Sequence, residues 1–231
     1  MGNCTGNCIS HAMDNISPKL HQNLNDLIGN HKKADPSENA AMHNRLPPLY
    51  EEHRVIKVYD GDTLTLANND RVRLIGIDTP EIKQSQPFAK EAKEYLANNV
   101  LDQDIFLTFE TKGDKKDHYG RWVAWIFVKK GDGYLNLNEG LVAAGLASVY
   151  NPGSTTLHNH NEMLSMQKNA RESKLGKWID FRDNEVLKTR NGRCFHRHRG
   201  CTHLSKSKNL ITIKQSYALD NGLSACRGCY E

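Results

Sequence analysis

Carboxylates are concentrated in residues 58–81, VYDGDTLTLANNDRVRLIGIDTPE, among apolar and β-branched residues. The alternation of side chains along a strand places Asp62 and Asp78 on the same face of a predicted hairpin as Leu64 and Leu74. Two anions at the rim of an apolar face repel each other unless a positive charge lies between them. The pattern therefore indicates a site for a hard divalent cation with oxygen ligands.

The hairpin is predicted from the turn signal NND at residues 68–70. If these residues form a three-residue loop, Ala67 pairs with Arg71 and Asp62 lies opposite Gly76. A change of register by one residue would move the two carboxylates to opposite faces of the hairpin.

The strands that would position these residues are five short runs rich in β-branched, leucine and aromatic residues. They are RVIKVY (54–59), TLTLA (63–67), RVRLIGI (71–77), DIFLTFE (104–110) and RWVAWIFV (121–128). Helices are predicted over 87–100, 135–147 and 155–178. Five strands in so short a region favour a closed barrel, so we predict an α+β, mainly β fold: a five-stranded OB-fold barrel with three helices.

Composition and charge divide the rest of the chain. The 231 residues include 31 basic and 27 acidic side chains, and the formal charge of +4 tolerates polyanions without requiring them. No apolar run reaches the roughly 20 residues that span a bilayer, and no signal-peptide core is seen, so we expect an intracellular protein. The composition of residues 1–50 predicts a flexible tail, and residues 51–180 and 181–231 are predicted to form two folded segments. No oligomer is implied.

The N-terminal sequence MGNCTGNC carries residue types that accept lipids. Gly2 is the acceptor that N-myristoylation requires, and Cys4 and Cys8 are acceptors for palmitate, which together predict peripheral membrane association. The motif prefers Ser or Thr where this chain has Gly6, so an unmodified tail is the alternative.

Three short motifs resemble the active-site blocks of the staphylococcal (micrococcal) nuclease, or thermonuclease, family. They are DGDT at 60–63, RVRLIGIDTPE at 71–81 and DHYGR at 117–121, and their order and separation also fit. The resemblance covers residues 52–180. It implies an OB-fold and a calcium-dependent endonuclease that hydrolyses phosphodiester bonds in DNA and RNA, preferably single-stranded.

The resemblance also assigns metal ligands and a base. Asp62 and Asp78 match the carboxylate ligands of a catalytic Ca²⁺, and Thr79 matches a ligand that acts through its backbone carbonyl. Glu81 matches the group that activates the attacking water. Without the resemblance, Asp62 could equally shape a turn and Glu81 could favour a helix start through the helix dipole.

Substrate contacts are assigned in the same way. Arg73 and Arg121 match two arginines that contact the scissile phosphate, although strand alternation points Arg73 away from the carboxylates unless a bulge or barrel curvature brings it round. His118, Tyr119 and Tyr150 match positions that line the nucleotide site.

A second set of metal-binding residue types lies near the C-terminus. It comprises Cys194, His196, His198, Cys201, His203, Cys226 and Cys229. A Cys-x-x-Cys places two thiolates on one tight turn, and four nitrogen and sulfur ligands suit tetrahedral zinc. A metal-free tail is the alternative, although so small a core would hardly fold without a metal.

The same segment is similar to the metal-binding domain of the Ada DNA-repair protein. The similarity implies a structural Zn²⁺ held by Cys201, Cys226, Cys229 and one histidine, with His196 the predicted fourth ligand. His198 and Cys194 remain alternatives, because the spacing from His196 to Cys201 is one residue longer than expected.

These features predict a calcium-dependent nuclease with an accessory zinc-binding module. The alternative is a catalytically weak or inactive nuclease-like module that binds nucleic acid or protein. Because all the matched acids and arginines are present, we favour the enzyme.

Overall fold

The computed structural model describes residues 39–150 and 157–230. The predictions for Gly2, Cys4 and Cys8 lie outside the described residues.

The N-terminal part of the described chain is built on short strands and three helices. The strands are β1 (Met42–His43), β2 (Glu51–Asp60), β3 (Thr63–Leu66), β4 (Arg71–Leu74), β5 (Ile77–Asp78), β6 (Asp104–Thr108), β7 (Trp122–Lys130), β8 (Gly133–Asn136) and β9 (Ser148–Val149). The helices are α1 (Ala89–Val100), α2 (Leu137–Ala143) and α3 (His160–Glu172). All five predicted strands and all three predicted helices are present. The helices are shorter than predicted, whereas the strands β2 and β7 are longer.

A closed five-stranded barrel forms the centre of this part. β3 lies between β2 and β4, β4 pairs parallel with β7, and β6 pairs with both β7 and β2 to close the barrel. β8 and then β1 extend the sheet beyond β7. The predicted OB-type barrel is confirmed.

The barrel core is made by the residues that alternation assigns to it. Leu64, Leu66, Val72 and Leu74 are each at most 1% exposed, and Trp125 of β7 is fully buried. Burying a large apolar side chain of this kind contributes about 1.5–3 kcal/mol, so the even-numbered face of the hairpin is strongly fixed toward the core.

The predicted register of the hairpin is wrong by two residues. Arg71 pairs with Thr65 and not with Ala67, so five residues, 66–70, separate the paired positions instead of the three predicted. Asp62 lies opposite Leu74, which donates its N–H to the Asp62 carbonyl at 2.9 Å, and not opposite Gly76. Since the error is an even number of residues, every side chain keeps its predicted face.

The C-terminal part consists of short elements. They are β10 (Glu185–Thr189), β11 (Cys194–Phe195), β12 (Leu210–Lys214), α4 (Gln215–Asp220), β13 (Ser224–Ala225) and α5 (Arg227–Tyr230). β10 pairs antiparallel with β12, and β11 pairs parallel with β13.

Helix α3 connects this part to the barrel. Gln167 accepts a hydrogen bond from the Val149 N–H at 2.8 Å and donates to the Leu219 carbonyl at 3.4 Å, while Arg171 forms an ion pair with Asp220 at 2.7 Å. Apolar residues from before and after residue 180 pack in one buried cluster, so the division of the chain into two segments at residue 180 stays a prediction. Within residues 39–150 and 157–230, no helix has the length and apolar character needed to cross a membrane.

Candidate active site and candidate metal centre

Two turns at one end of the barrel bring the predicted carboxylates together. Asp62 lies in the turn between β2 and β3 and is only 6% exposed. Its Oδ2 accepts hydrogen bonds from the N–H of Thr79 at 3.1 Å and from the Thr79 hydroxyl at 3.0 Å. These bonds fix the segment that follows β5 against the β2–β3 turn, although the two are 17 residues apart in the chain.

Arg73 contacts both carboxylates. Its Nη1 lies 3.1 Å from Asp62 Oδ2, and its Nη2 lies 3.2 Å from Asp78 Oδ1. The chain bends at Gly76, whose φ is 77°, and β5 leaves the barrel to pair with β9. This turn, rather than a bulge, supplies the curvature that the contact between Arg73 and Asp78 requires.

The electrostatics of the site show an excess of negative charge. Burial, together with the charges of Asp62 and Glu81, raises the pKa of Asp60 to about 6. Burial also raises the pKa of Glu81, with added contributions from Asp62 and Asp78, while Arg73 opposes the shift. Carboxylate oxygens that repel one another in this way are the donor set of a hard divalent cation such as Ca²⁺, so the residues fit the predicted metal.

Glu81 does not serve the helix that follows it. It precedes the 3₁₀ helix Ile82–Gln84, but its side chain makes no capping hydrogen bond to that helix. Its backbone N–H is instead held by Gln86 Oε1 at 2.8 Å. The Glu81 carboxylate lies close enough to Asp62, Asp78 and Arg73 for their charges to affect its pKa.

Arg121 is held apart from the carboxylates by its own partner. Its Nε donates to Asp117 Oδ2 at 2.8 Å, and its Nη2 forms an ion pair with the same oxygen at 2.8 Å. β4 and β7 are parallel with Arg73 opposite Val123, so Arg121, two residues earlier, follows the same face as Arg73. By this alternation both arginines belong to one side of the sheet, and of the two only Arg73 contacts Asp62 and Asp78.

The three predicted nucleotide contacts fall in two places. His118 and Tyr119 lie in the loop before β7 with their ring centroids 3.8 Å apart, and Tyr119 is 72% exposed. Tyr150 follows β9, and its N–H donates to the Gly76 carbonyl at 2.9 Å, so it lies beside the turn that carries Asp78.

Three residues at this site were not predicted from the sequence. Asp60 was not selected as a site residue, although it belongs to the DGDT motif, and it accepts a hydrogen bond from the Asp62 N–H at 3.3 Å. Lys177 donates from Nζ to Ser148 Oγ at 2.8 Å, and Ser148 pairs with Asp78. Arg227 Nη2 lies 3.5 Å from Asp78 Oδ1. No local sequence pattern indicates the last two, since both come from distant segments of the chain.

A cysteine and histidine cluster forms a candidate metal centre in the C-terminal part. Within the described residues, ligand atoms of His196, Cys201, Cys226 and Cys229 all lie within 4.8 Å of one another, and all four residues are buried. These are the four residues selected in the sequence, whereas His198 and Cys194 do not belong to the group.

The geometry of this cluster suits tetrahedral zinc. The Sγ atoms of Cys201 and Cys226 are 3.8 Å apart, which matches the edge of about 3.8 Å that a tetrahedron with Zn–S distances of about 2.3 Å requires. The buried Nδ1 of His196 has no hydrogen-bond partner among the described residues, so it is available as a ligand atom. The backbone N–H of Arg197 donates to Cys229 Sγ at 3.4 Å, as an outer contact that stabilises a thiolate.

Comparisons with known proteins agree with this geometry. Residues 71–180 match the family described as "Staphylococcal nuclease homologue". A protein named thermonuclease from Staphylococcus hyicus is 30% identical over 156 residues, which cover 63% of this chain and 85% of the relative. An uncharacterized endonuclease of Escherichia coli is 30% identical over 131 residues, covering 55% and 76%.

A third relative comes from an archaeon. An uncharacterized protein of Methanocaldococcus jannaschii is 30% identical over 148 residues, covering 54% of this chain and 70% of the relative. Sequence, barrel topology and the grouped acids and arginine thus agree, and the chain belongs to the staphylococcal nuclease homologue family.

Proposed function

We propose that this protein is a calcium-dependent nuclease that hydrolyses phosphodiester bonds in DNA and RNA. The observation that carries the proposal is the contact of Arg73 with both Asp62 and Asp78, beside the carboxylate of Glu81. Asp62 and Asp78 would hold the cation, and the Arg73 guanidinium that now contacts both carboxylates would then be available for a phosphate. An inactive binding module would not need acids and arginine arranged in this way.

The arginines bind and polarise the substrate. A guanidinium group donates two parallel hydrogen bonds to phosphate oxygens, and such bonds gain strength as negative charge accumulates in the transition state. Arg73 and Arg121 share one side of the sheet, so one strand of nucleic acid passes over both. The exposed ring of Tyr119 offers a face on which an unpaired base stacks, which favours single-stranded substrates.

Glu81 accepts the proton from the attacking water. A general base works best when its pKa lies close to the working pH, and the pKa of Glu81 is raised above its usual value by burial and by Asp62 and Asp78. Bound Ca²⁺ supplies a positive charge that offsets the charge of the phosphodiester. We expect the rate of cleavage to rise with pH as Glu81 loses its proton.

The decisive experiment is a cleavage assay with a Glu81→Gln variant. Wild-type protein with Ca²⁺ is expected to cleave labelled single-stranded DNA, and the variant is expected to lose at least a hundredfold in kcat while its affinity for the strand changes little. Glu94→Gln, on the exposed side of α1, is the matched control and should keep the wild-type rate.

Two results would reject the mechanism. Full activity after Ca²⁺ is chelated would show that the reaction does not require calcium. An unchanged rate in Glu81→Gln would show that Glu81 is not the general base. If the wild-type protein binds the strand but never cleaves it with any divalent cation, the catalytically inactive binding module is the correct function.

The four-residue cluster of the C-terminal part is proposed to hold a structural Zn²⁺. Three thiolates and one imidazole are soft and borderline ligands that prefer zinc to calcium. All four positions of a tetrahedron are filled by the protein, which suits a structural rather than a catalytic ion.

A further inference from the structure

Arg227 connects the candidate metal centre to the candidate active site. It is the residue directly after the metal-centre residue Cys226 and the first residue of α5. Its Nη2 lies 3.5 Å from Asp78 Oδ1, across 149 residues of the chain. Its guanidinium carbon lies 5.5 Å from the centre of the Tyr150 ring. The side chain is 57% exposed, so it also faces the solvent from which a substrate arrives.

The surroundings of Arg227 are those of a phosphate contact. Asp78 already has Arg73 as a buried partner at 3.2 Å, so the longer contact of Arg227 adds a second positive charge at the same edge. A planar, permanently charged guanidinium is the side chain best suited to bidentate phosphate binding. The neighbouring Tyr150 ring adds an aromatic face of the kind on which bases stack.

The backbone that carries Arg227 is held on both sides. The Cys226 N–H donates to the Phe195 carbonyl at 2.9 Å, and the Cys229 N–H donates to the Cys226 carbonyl at 3.1 Å. The Phe195 ring packs edge-on against Tyr230, the last residue of α5. A metal ion bound by the two cysteines would tighten the same turn, because its ligands flank the arginine in sequence.

We propose that Arg227 binds a phosphate group of the nucleic acid strand beside Asp78, so that the C-terminal metal-binding part supplies a third arginine to the active site. The inference rests on the proposed nuclease function. Arg227 acts in strand binding, while Arg73 and Glu81 act at the scissile phosphate. Substrate affinity therefore depends on a segment that lies outside the barrel.

The test measures strand binding separately from cleavage. In a Glu81→Gln background, anisotropy of a labelled single-stranded DNA 10-mer is titrated at several salt concentrations, with Zn²⁺ and Ca²⁺ present. Arg227→Gln is expected to weaken binding about tenfold and to reduce the slope of log K against log[salt] by about 0.7, the value for one phosphate contact on a single strand. Arg227→Lys should recover part of the affinity, because lysine restores the charge but lacks the planar guanidinium that donates two parallel hydrogen bonds.

Arg199→Gln is the matched control. It removes the same charge from the same part of the chain, but the Arg199 guanidinium donates to the Ser207 carbonyl at 2.7 Å. Its salt slope should stay within error of the parent. Both variants should retain the zinc content of the parent, which shows that the metal centre is intact.

Cleavage by the otherwise wild-type protein supplies the second readout. Arg227→Gln is expected to raise KM about tenfold with little change in kcat, since ground-state and transition-state binding are lost equally. The inference is overturned if Arg227→Gln and Arg199→Gln show equal affinities and equal salt slopes while the wild-type protein cleaves normally. If the wild-type protein never cleaves but Arg227→Gln still lowers affinity and salt slope, strand binding by Arg227 stands and the proposed nuclease function fails.

Discussion

Asp60 shows how a candidate cation site lowers the free energy of unfolding when no cation is bound. Its carboxylate accepts a hydrogen bond from the Asp62 N–H at 3.3 Å, yet burial and the neighbouring acids raise its pKa to about 6 from a usual value of 3.8. The folded, cation-free protein therefore binds this proton more tightly than the unfolded chain does. The free energy of unfolding falls as the pH rises from about 4 to about 6, where Asp60 ionises in the folded state.

Asp60→Asn is expected to stabilise the calcium-free protein above pH 6. Asparagine keeps the acceptor for the Asp62 N–H but has no charge, so the variant should gain about 1–3 kcal/mol in free energy of unfolding at pH 8 and little at pH 4. Urea unfolding in calcium-free, zinc-replete buffer at both pH values measures the difference. Added Ca²⁺ should reduce it, because the cation offsets the same repulsion. A variant less stable than the wild type at pH 8 would contradict the assignment.

Among the elements, the hairpin of β3 and β4 shows what a local pattern can predict. Strand alternation correctly assigned Leu64, Val72 and Leu74 to the core, because a pleat has a period of two whatever the loop length. It could not fix the register, since loop length depends on which backbone groups bond across the turn. Nor could it show that the turn at Gly76 would direct Asp78 back to the arginine.

The turn between β2 and β3 can approach α1 closely because Gly61 has no side chain. A Cβ at Gly61 would lie 2.6 Å from Ala92 Cβ in α1 and 2.8 Å from Thr79 Cγ2. Neither atom can move freely, because Ala92 is fully buried and Thr79 is hydrogen-bonded to Asp62. Any larger residue at this position must displace the helix or the carboxylate site.

Gly61→Ala should therefore lower both stability and activity. We expect a loss of about 1–3 kcal/mol in free energy of unfolding and a fall in cleavage rate with weaker Ca²⁺ binding. Gly131→Ala is the control, because no atom lies within 4 Å of a Cβ added at Gly131. The expected cost there comes from the positive φ of 56°. The control should cost about 1 kcal/mol and leave the rate unchanged. Equal effects of the two substitutions would show that the contact with α1 is unimportant.

On the scale of the whole molecule, the C-terminal part contacts the candidate active site through Arg227, a contact that no local sequence pattern indicates. The Cys-x-x-Cys spacing indicated Cys226 and Cys229, because spacing within one turn is a local property. The resemblance to the Ada metal-binding domain added Cys201 and His196, which the structure groups with them. The contact of Arg227 with Asp78 depends instead on how α4 docks against α3 through Arg171 and Asp220, which only the folded chain shows.

Removal of zinc is expected to loosen the C-terminal part before the barrel. The metal centre is the core of a small cluster formed by Cys201, Leu204, Cys226 and Cys229, whereas the barrel core shares none of these residues. Thiolates without a metal repel one another, and so small a cluster cannot replace the lost binding energy. Hydrogen exchange after treatment with a zinc-selective chelator should therefore increase over residues 194–204 and 224–230.

Exchange of β3, β4 and α1 should stay at the level of the zinc-loaded protein, because their protection comes from the barrel core. Removal of Ca²⁺ alone is the control and should raise exchange only near Asp62 and Thr79. Arg227 lies between two of the proposed zinc ligands, Cys226 and Cys229, so zinc removal should also lower the affinity of the Glu81→Gln variant for single-stranded DNA. This loss should not exceed the loss that the additional substitution Arg227→Gln causes in zinc-loaded protein. Unchanged exchange over 194–204 would show that the cluster folds without metal, and simultaneous loss of barrel protection would show that the two parts unfold as one unit.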